Sequence, residues 1–158
     1  MSYKLGIVGS RVWTKKLGRV WSSKLEGKEK AYVFKKMDDY VDTYGKPSKV
    51  ISGGASGPDT WGVQWAKARG IETPPPIRPD VRLINRLSGE TQRSKNKAFE
   101  IAAKKRNIKI INESDRIVAF WNEGKTGGTR HTLENAKLLL GSGEGKVTYF
   151  YIGKKWSP

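Results

Sequence analysis

The stretch SGGASGPDT, Ser52 to Thr60, decides the fold of this chain. It follows the apolar pair Val50-Ile51 and precedes an amphipathic run that contains Trp61 and Trp65. An apolar strand, a glycine-rich turn and an amphipathic helix in this order are typical of a parallel α/β unit. Glycines in such a turn leave backbone N–H groups uncovered, and a helix N-terminus adds partial positive charge. The stretch therefore predicts a site for a phosphate or another anion.

Two further polar turns follow predicted strands. Leu5 to Val8 ends in Gly9-Ser10-Arg11, and Arg116 to Trp121 is followed by Lys125 to Thr129. Strand and helix patterns alternate along the chain, which predicts one α/β domain over residues 1–158 with a Rossmann-like, doubly wound, mainly parallel sheet and helices on both faces. Ligands of such sheets bind at the carboxyl ends of the strands. We expect the three turns to line one pocket.

The remaining elements are predicted from periodicity and from helix-breaking residues. They are, in chain order, a basic loop or insertion over about 11–28, a helix over about 29–44, a short strand at 71–73, a helix over about 94–105 and a last strand over 146–152. Whether the helix over about 94–105 continues to residue 112 is left open. Pro74 to Pro76 and Pro79 impose an extended path, and residues 80–93 carry no clear pattern.

The composition excludes several classes of site. There is no cysteine, so disulfides, thiolate nucleophiles and cysteine metal sites are ruled out. The single histidine, His131, rules out a multi-histidine metal cluster and is more often a packing or capping residue than a base. No apolar run approaches the length of a membrane span or of a signal-peptide core. We expect a cytoplasmic protein that needs neither a metal nor a cofactor.

The net charge of +16, from 31 basic and 15 acidic residues, indicates an anionic partner. Residues 11–30 carry a net +5 and residues 93–109 a net +6. Tryptophans lie among the lysines of the first cluster, which favours single-stranded nucleic acid because bases stack on aromatic rings. A solvated basic face is the equal alternative. The candidate nucleic-acid contacts are Trp13, Lys15, Lys16, Arg19, Trp21, Arg93, Lys95 and Lys97.

Individual residues of the turns suit phosphate binding. Gly53, Gly54 and Gly57 let the backbone approach phosphate oxygens, while Ser10 and Arg11 offer a hydroxyl and a guanidinium. Asp59 has two equal interpretations, a contact to a ribose hydroxyl or a carboxylate that caps the following helix. Thr129 offers a hydroxyl at the second glycine turn or serves as an ordinary N-cap.

Four blocks of sequence resemble the SLOG superfamily, the Rossmann-like group that joins the DprA/Smf DNA-processing proteins to the LOG proteins. The blocks are IVGSR at 7–11, SGGASGPD at 52–59, Arg106-Asn107 ahead of SDRIVAFW at 114–121, and GGTRHT at 127–132. Their order and spacing are closest to the small YspA/YpsA-related branch. No G-x-G-x-x-G motif follows the first strand, so the blocks differ from a dinucleotide fingerprint.

The resemblance implies a pocket for a nucleotide or nucleotide-derived ligand at the carboxyl edge of the sheet. Arg106 would fork onto a phosphate, and Asn107 would read a base edge or a sugar hydroxyl. The expected ligand-binding residues are Gly9, Ser10, Arg11, Gly53, Gly54, Ala55, Gly57, Asp59, Arg106, Asn107, Gly127, Gly128 and Thr129.

The chain departs from the LOG enzymes, which cleave cytokinin nucleotides to base and ribose phosphate. Those enzymes pair an arginine with a glutamate just after the second glycine turn. Arg106 can stand for the arginine, but Arg130 and His131 follow Thr129, and Glu134 comes nearly a helical turn later. An oxocarbenium-like transition state needs a placed carboxylate. A phosphoribohydrolase, with Arg106 and Glu134 as its candidate catalytic residues, is therefore the weakest of three functional hypotheses.

The first of the three hypotheses is a binder or sensor of a nucleotide or nucleotide-derived ligand. The second is a DprA-like protein that binds single-stranded nucleic acid. Relatives of the resembled group commonly self-associate, which implies a homo-oligomer. No membrane partner is expected.

Overall fold

The computed structural model describes residues 2–9, 23–55, 57–122 and 128–152. Within these ranges four strands form one parallel sheet in the order β2-β1-β3-β4. The strands are β1 (Lys4–Gly9), β2 (Lys49–Ser52), β3 (Arg116–Asn122) and β4 (Val147–Ile152). The prediction of a parallel Rossmann-like α/β fold is confirmed.

Five helices lie within the same described ranges. They are α1 (Ser23–Tyr44), α2 (Pro58–Ala68), α3 (Val81–Leu87), α4 (Gln92–Asn112) and α5 (Gly128–Leu140). None of them is long and apolar enough to cross a membrane.

The helices divide between the two faces of the sheet because side chains alternate along each strand. Leu5 and Ile7 of β1 pack in one cluster with Val33 and Met37 of α1 and with Trp65 of α2. The neighbouring positions of the strands point to the other face, where Val8 and Ala119 pack with α4 and α5. The prediction of helices on both faces is therefore confirmed.

The first face is closed by a polar link between its two helices. The carboxylate of Asp38 on α1 accepts hydrogen bonds from Trp65 Nε1 at 2.8 Å and from Arg69 Nε at 2.7 Å. The Arg69 guanidinium holds the pKa of the Asp38 carboxyl below its usual range, and the Trp65 bond acts in the same direction. The link fixes α1 against the C-terminal half of α2.

Helix α1 corrects the prediction of a loop over 11–28, which is wrong for residues 23–28. Lysine and glutamate favour a helix there, and the glycine at 27 costs only about 1 kcal/mol. Burial of Glu29, Val33 and Met37 at helical spacing outweighs that cost. Residues 11–22 lie outside the described part of the chain.

Helix α3 occupies part of the segment that carried no clear pattern. Its N-cap is Asp80, whose Oδ1 accepts from the backbone N–H groups of Arg82 at 2.9 Å and Leu83 at 3.3 Å. Helix α4 runs without interruption from Gln92 to Asn112, so the continuation left open by the sequence exists. It packs against both α3 and α5.

The strand predicted at residues 71–73 is reduced to one bridge, so that prediction is wrong in extent. Glu72 pairs with Lys49, and its carbonyl accepts from Val50 N at 2.9 Å. Pro74 to Pro76 follow at once, and prolines lack the N–H that a longer ladder needs. The proline segment instead runs extended past the carboxyl end of β2.

Candidate functional site

The glycine-rich turn lies at the carboxyl edge of the sheet. Strand β1 pairs with both β2 and β3, so Gly9, Ser52 and Asn122 end adjacent parallel strands. Strand order changes direction at β1, which is the place where open α/β sheets bind ligands. Three expected contacts beside this edge, Ser10, Arg11 and Gly127, lie outside the described residues.

Ser52 fixes the turn from its first position. Its buried hydroxyl donates to the carbonyl of Asp59 over 3.2 Å and accepts from Gly54 N over 3.1 Å. Thr60 Oγ1 donates to the carbonyl of Ala55 over 2.8 Å. The end of β2 and the first turn of α2 are therefore held together by side chains of the turn itself.

Asp59 lies inside this turn, with 4% of its surface exposed. Its Oδ2 accepts from Ala55 N over 3.4 Å, and its charge complements the N-terminus of α2. The expectation that the turn leaves its N–H groups uncovered is thus wrong for Gly54 and Ala55. The protein's own hydroxyl and carboxylate therefore satisfy two N–H groups of the turn. No side-chain hydrogen bond caps the N-terminus of α2 in the described part of the chain, and a contact of Asp59 with a ribose hydroxyl stays a prediction.

The glycines of the turn are required by conformation and by close approach. Gly54 and Gly57 have φ angles of +72° and +91°, which L-residues adopt at a cost. A Cβ on Gly54 would also lie 2.9 Å from Pro76 Cβ. A Cβ on Gly53 would lie 2.7 Å from Cζ of Arg106. Gly9 is equally restricted, since a Cβ there would lie 2.6 Å from Pro58 Cβ.

Arg106 and Asn107 of α4 reach this turn from the other face of the sheet. Arg106 Nη1 donates to the carbonyl of Gly53 over 3.0 Å, and its Nε donates to Asn107 Oδ1 over 2.8 Å. Both side chains are buried, with 9% and 8% exposed. Two of the sequence blocks, separated by 53 residues, therefore come into direct contact. Their role in ligand binding stays a prediction.

A cavity of about 280 Å³ opens beside this contact, between α3 and α4. Its lining combines five cationic side chains with one carboxylate and two small or apolar residues. The lining residues are Arg78, Asp80, Leu83, Arg86, Ala102, Lys105, Arg106 and Lys109. The Cβ position of Gly54 lies 3.5 Å from Cζ of Arg78, so the cavity adjoins the turn on two sides.

The positive charge of the cavity is poorly neutralised by the protein. Asp80, its one acidic residue, already caps α3. Four of the cavity's cations form no ion pair with a carboxylate within the described residues, namely Arg78, Arg86, Lys105 and Lys109. Lys104, which precedes Lys105 but does not line the cavity, pairs with Glu100 at 3.3 Å. The same part of the structure has ion pairs elsewhere, such as Arg130 with Glu134. Four of the five cations of the lining therefore have no carboxylate partner in the described part of the chain.

Helix α4 carries further cations beyond the sheet. Ile110 approaches Gly6 and Arg106 approaches Gly53, so α4 runs antiparallel to the strands. The residues that precede Arg106 extend roughly 21 Å past the carboxyl edge at 1.5 Å per residue. Three candidate nucleic-acid contacts on this extension, Arg93, Lys95 and Lys97, are exposed. The other five, Trp13, Lys15, Lys16, Arg19 and Trp21, lie outside the described residues.

The candidate catalytic carboxylate does not join the cavity. Glu134 on α5 is exposed, and its Oε1 accepts from Arg130 Nε over 3.0 Å. His131 keeps Nδ1 buried without a hydrogen-bond partner in the described part of the chain. Gly128 and Thr129 form the start of α5. No group of three or more potential metal ligands occurs among the described residues.

Of the eight residues that line the cavity, only Arg106 was singled out from the sequence as a site residue. The charged residues that were missed are Arg78, Asp80, Arg86, Lys105 and Lys109. Lys105 and Lys109 are four residues apart and therefore share one face of a helix, and this spacing was the only sequence signal that pointed to these cavity residues. Neither protein-family models nor curated proteins give a match to this chain. The resemblance to the SLOG superfamily therefore stays a prediction that depends on the quoted sequence blocks alone.

Proposed function

We propose that this protein binds a phosphate-bearing, nucleotide-type ligand at the carboxyl edge of its sheet, in the cavity beside Gly53, Gly54 and Arg106. The observation that carries the proposal is the placement of Arg106. It is a buried cation that contacts the carbonyl of Gly53 and lines a cavity with four further cations. Guanidinium and ammonium groups bind anions through charge-assisted hydrogen bonds, so this group of five cations around one cavity favours an anionic ligand.

The proposed division of roles follows the side-chain chemistry. Guanidinium and ammonium groups are donors only, and they bind phosphate oxygens through charge-assisted hydrogen bonds. The phosphate therefore belongs at Arg106 and its cationic neighbours rather than over the glycine turn, where Ser52 and Asp59 already satisfy two N–H groups. The turn contributes position, because the absence of a side chain at Gly53 lets the Arg106 guanidinium lie against the turn at the edge of the cavity.

The proposed activity is binding or sensing rather than hydrolysis. A phosphoribohydrolase would need a carboxylate next to the sugar, and Glu134 is instead held by Arg130. Asp80 is the acidic residue of the cavity and is committed to the cap of α3. We therefore propose no bond-breaking step.

Single-stranded nucleic acid is the second candidate ligand. Exposed cations continue from the cavity along α4 through Lys97 and Lys95 to Arg93. Residues 78–109 hold ten basic and three acidic side chains, a net charge of +7. A backbone of several phosphates would release counterions here, and its affinity would fall steeply with salt.

A calorimetric titration with nucleoside mono-, di- and triphosphates at moderate salt tests the proposal. We expect saturable binding of one nucleotide per chain, reduced at least tenfold by Arg106→Gln. Lys104→Gln is the matched control, because it removes one positive charge from the same helix outside the cavity. The nucleotide affinity of Lys104→Gln should stay within about twofold of that of the unmodified protein, because ion pairs at the surface contribute little.

A titration with a single-stranded 20-mer in the same buffers separates the two ligands. Tight oligonucleotide binding with a steep salt dependence, and no saturable nucleotide binding, would replace the first candidate by the second. Equal losses in Arg106→Gln and Lys104→Gln would indicate a charge effect without a pocket and would contradict both.

A further inference from the structure

We infer that the ligand carries two or more linked phosphate groups, and that the cavity between α3 and α4 selects it over a nucleoside monophosphate. The inference rests on the proposed function and specifies its ligand. It depends on the charges that the cavity gathers from two helices and from the segment before them. Neither the glycine turn nor the sequence blocks predicted that cluster.

The cationic residues of the cavity come from three parts of the chain and line one space. Its volume is about 280 Å³. Arg78 precedes α3, Arg86 lies on α3, and Lys105, Arg106 and Lys109 lie on α4. Because these side chains line one space, they give the cavity a positive field that favours an anion.

The cavity's charge exceeds what one phosphate requires. A phosphate monoester carries about −1.5 to −2 at pH 7. Five cations and one carboxylate give the lining a net charge of +4. A monophosphate bound at Arg106 would neutralise at most half of that charge. Two or three linked phosphates neutralise the lining.

The distribution of ion pairs supports the same conclusion. Elsewhere in the described structure some basic side chains pair with an acidic residue one helical turn away, as Lys104 does with Glu100 and Arg130 with Glu134. At the cavity, Arg86 and Lys109 have no carboxylate partner among the described residues. A polyanion bound at the cavity would supply the partner that these two cations lack, and a ligand that binds only the folded state raises the stability of that state.

The test compares ATP, ADP, AMP and inorganic tripolyphosphate in calorimetric titrations without divalent cations. We expect ATP to bind at least tenfold more tightly than AMP, with ADP between them. In the double variant Arg86→Gln/Lys109→Gln the ratio of ATP to AMP affinity should fall to threefold or less. Both residues are exposed, and circular dichroism checks that the variant folds.

Two control variants remove the same type of charge from the same helices. Arg82→Gln on α3 and Lys104→Gln on α4 lie outside the cavity lining and should keep the ratio of ATP to AMP affinity. If the ratio of ATP to AMP affinity falls as far in the controls as in the double variant, the inference is overturned. The selectivity would then come from the overall positive charge of the protein and not from the cavity.

The outcomes separate this inference from the proposed function. AMP binding as tight as ATP binding overturns the inference and leaves the proposed function standing. Binding of tripolyphosphate without binding of any nucleotide supports selection of linked phosphates and contradicts the proposal that the ligand is a nucleotide. Binding of a single-stranded oligonucleotide alone, or of none of the four probes, contradicts both.

Discussion

Arg106 Nη1 donates a hydrogen bond to the carbonyl of Gly53 over 3.0 Å, and this contact joins α4 to the turn that follows β2. The contact is buried and links residues 53 positions apart. It places the guanidinium between the glycine turn on one side and the α3–α4 cavity on the other. The geometry of the cavity therefore depends on the turn, and changes in the turn should alter ligand binding.

Replacement of Arg106 by lysine should reduce both stability and binding. Lysine keeps the charge but has a single nitrogen in place of the two that bond Gly53 and Asn107, so at least one buried acceptor loses its partner. We expect the free energy of unfolding to fall by about 1–3 kcal/mol. Denaturant unfolding measures the stability, and nucleotide titration should show at least a tenfold weaker affinity. Unchanged values of both would contradict a role for the guanidinium geometry.

Gly53→Ala should displace Arg106 without altering any charge. The added Cβ would lie 2.7 Å from Cζ of Arg106, so the guanidinium must move away from the Gly53 carbonyl. We expect nucleotide affinity to fall by about as much as in Arg106→Lys. The double variant should be no weaker than either single variant, because both remove the same contact.

Gly27→Ala provides the matched control for that substitution. Gly27 lies within α1 and a Cβ there would meet no atom within 4 Å. The substitution should raise the free energy of unfolding by about 0.5–1 kcal/mol through helix propensity and leave ligand affinity unchanged. Additive losses of affinity in the Gly53/Arg106 double variant would show that the two residues act separately.

Ser52→Ala should loosen the turn. The hydroxyl both donates to the Asp59 carbonyl and accepts from Gly54 N, and it is buried. Its loss leaves one acceptor and one donor without that partner, which we expect to cost about 1–3 kcal/mol of unfolding free energy. Ser142→Ala, at an exposed position, should change stability by less than about 0.5 kcal/mol. Equal denaturation midpoints for the two variants would contradict the assigned role of Ser52.

Ionisation of the Tyr3 hydroxyl should lower the stability of the folded protein at alkaline pH. Burial raises the pKa of its hydroxyl from 10.0 to about 12, with a smaller contribution from Tyr40 in the same direction and an opposing one from Arg116. The hydroxyl donates to the Gly45 carbonyl over 2.6 Å, which only the neutral form can do. Because the folded state holds the proton more tightly, its contribution is complete below pH 10 and is lost as the pH rises from 10 to about 12.

Urea unfolding of the unmodified protein and of Tyr3→Phe across pH 8–11.5 measures this effect. The variant should lose less stability with rising pH, since it has no hydroxyl to ionise at this position. Parallel curves for the two proteins would contradict the assignment of this titration to Tyr3.

The sequence predicted the fold well where local signals and burial agree. Apolar runs followed by glycine turns identified β1, β2 and β3. The predicted helix over about 29–44 is the part of α1 that contains the buried residues Val33 and Met37. Helix α3 was not predicted because it has seven residues and depends on the Asp80 cap and on the burial of Leu83. Such short helices carry too little periodicity to be recognised.

The site was predicted in part for the same physical reasons. Glycine-rich turns at strand ends and the Arg106-Asn107 block identified groups that the fold brings into contact. The turn's internal bonds were not predicted, although Ser52 and Asp59 are residue types that bind nearby backbone N–H groups. The cavity could not be predicted because Arg78, Arg86 and Lys109 meet only through the packing of α3 on α4.

Mapping of backbone amide chemical shifts during a titration with ADP tests the central claim most directly, because it locates the ligand as well as detecting it. The account predicts saturable changes concentrated at Gly53, Gly54 and the cavity-lining part of α4 around Arg106, with the amides of α5 around Lys137 unaffected. Saturable changes confined to residues outside the turn and the α3–α4 cavity, or no changes at all, would contradict it.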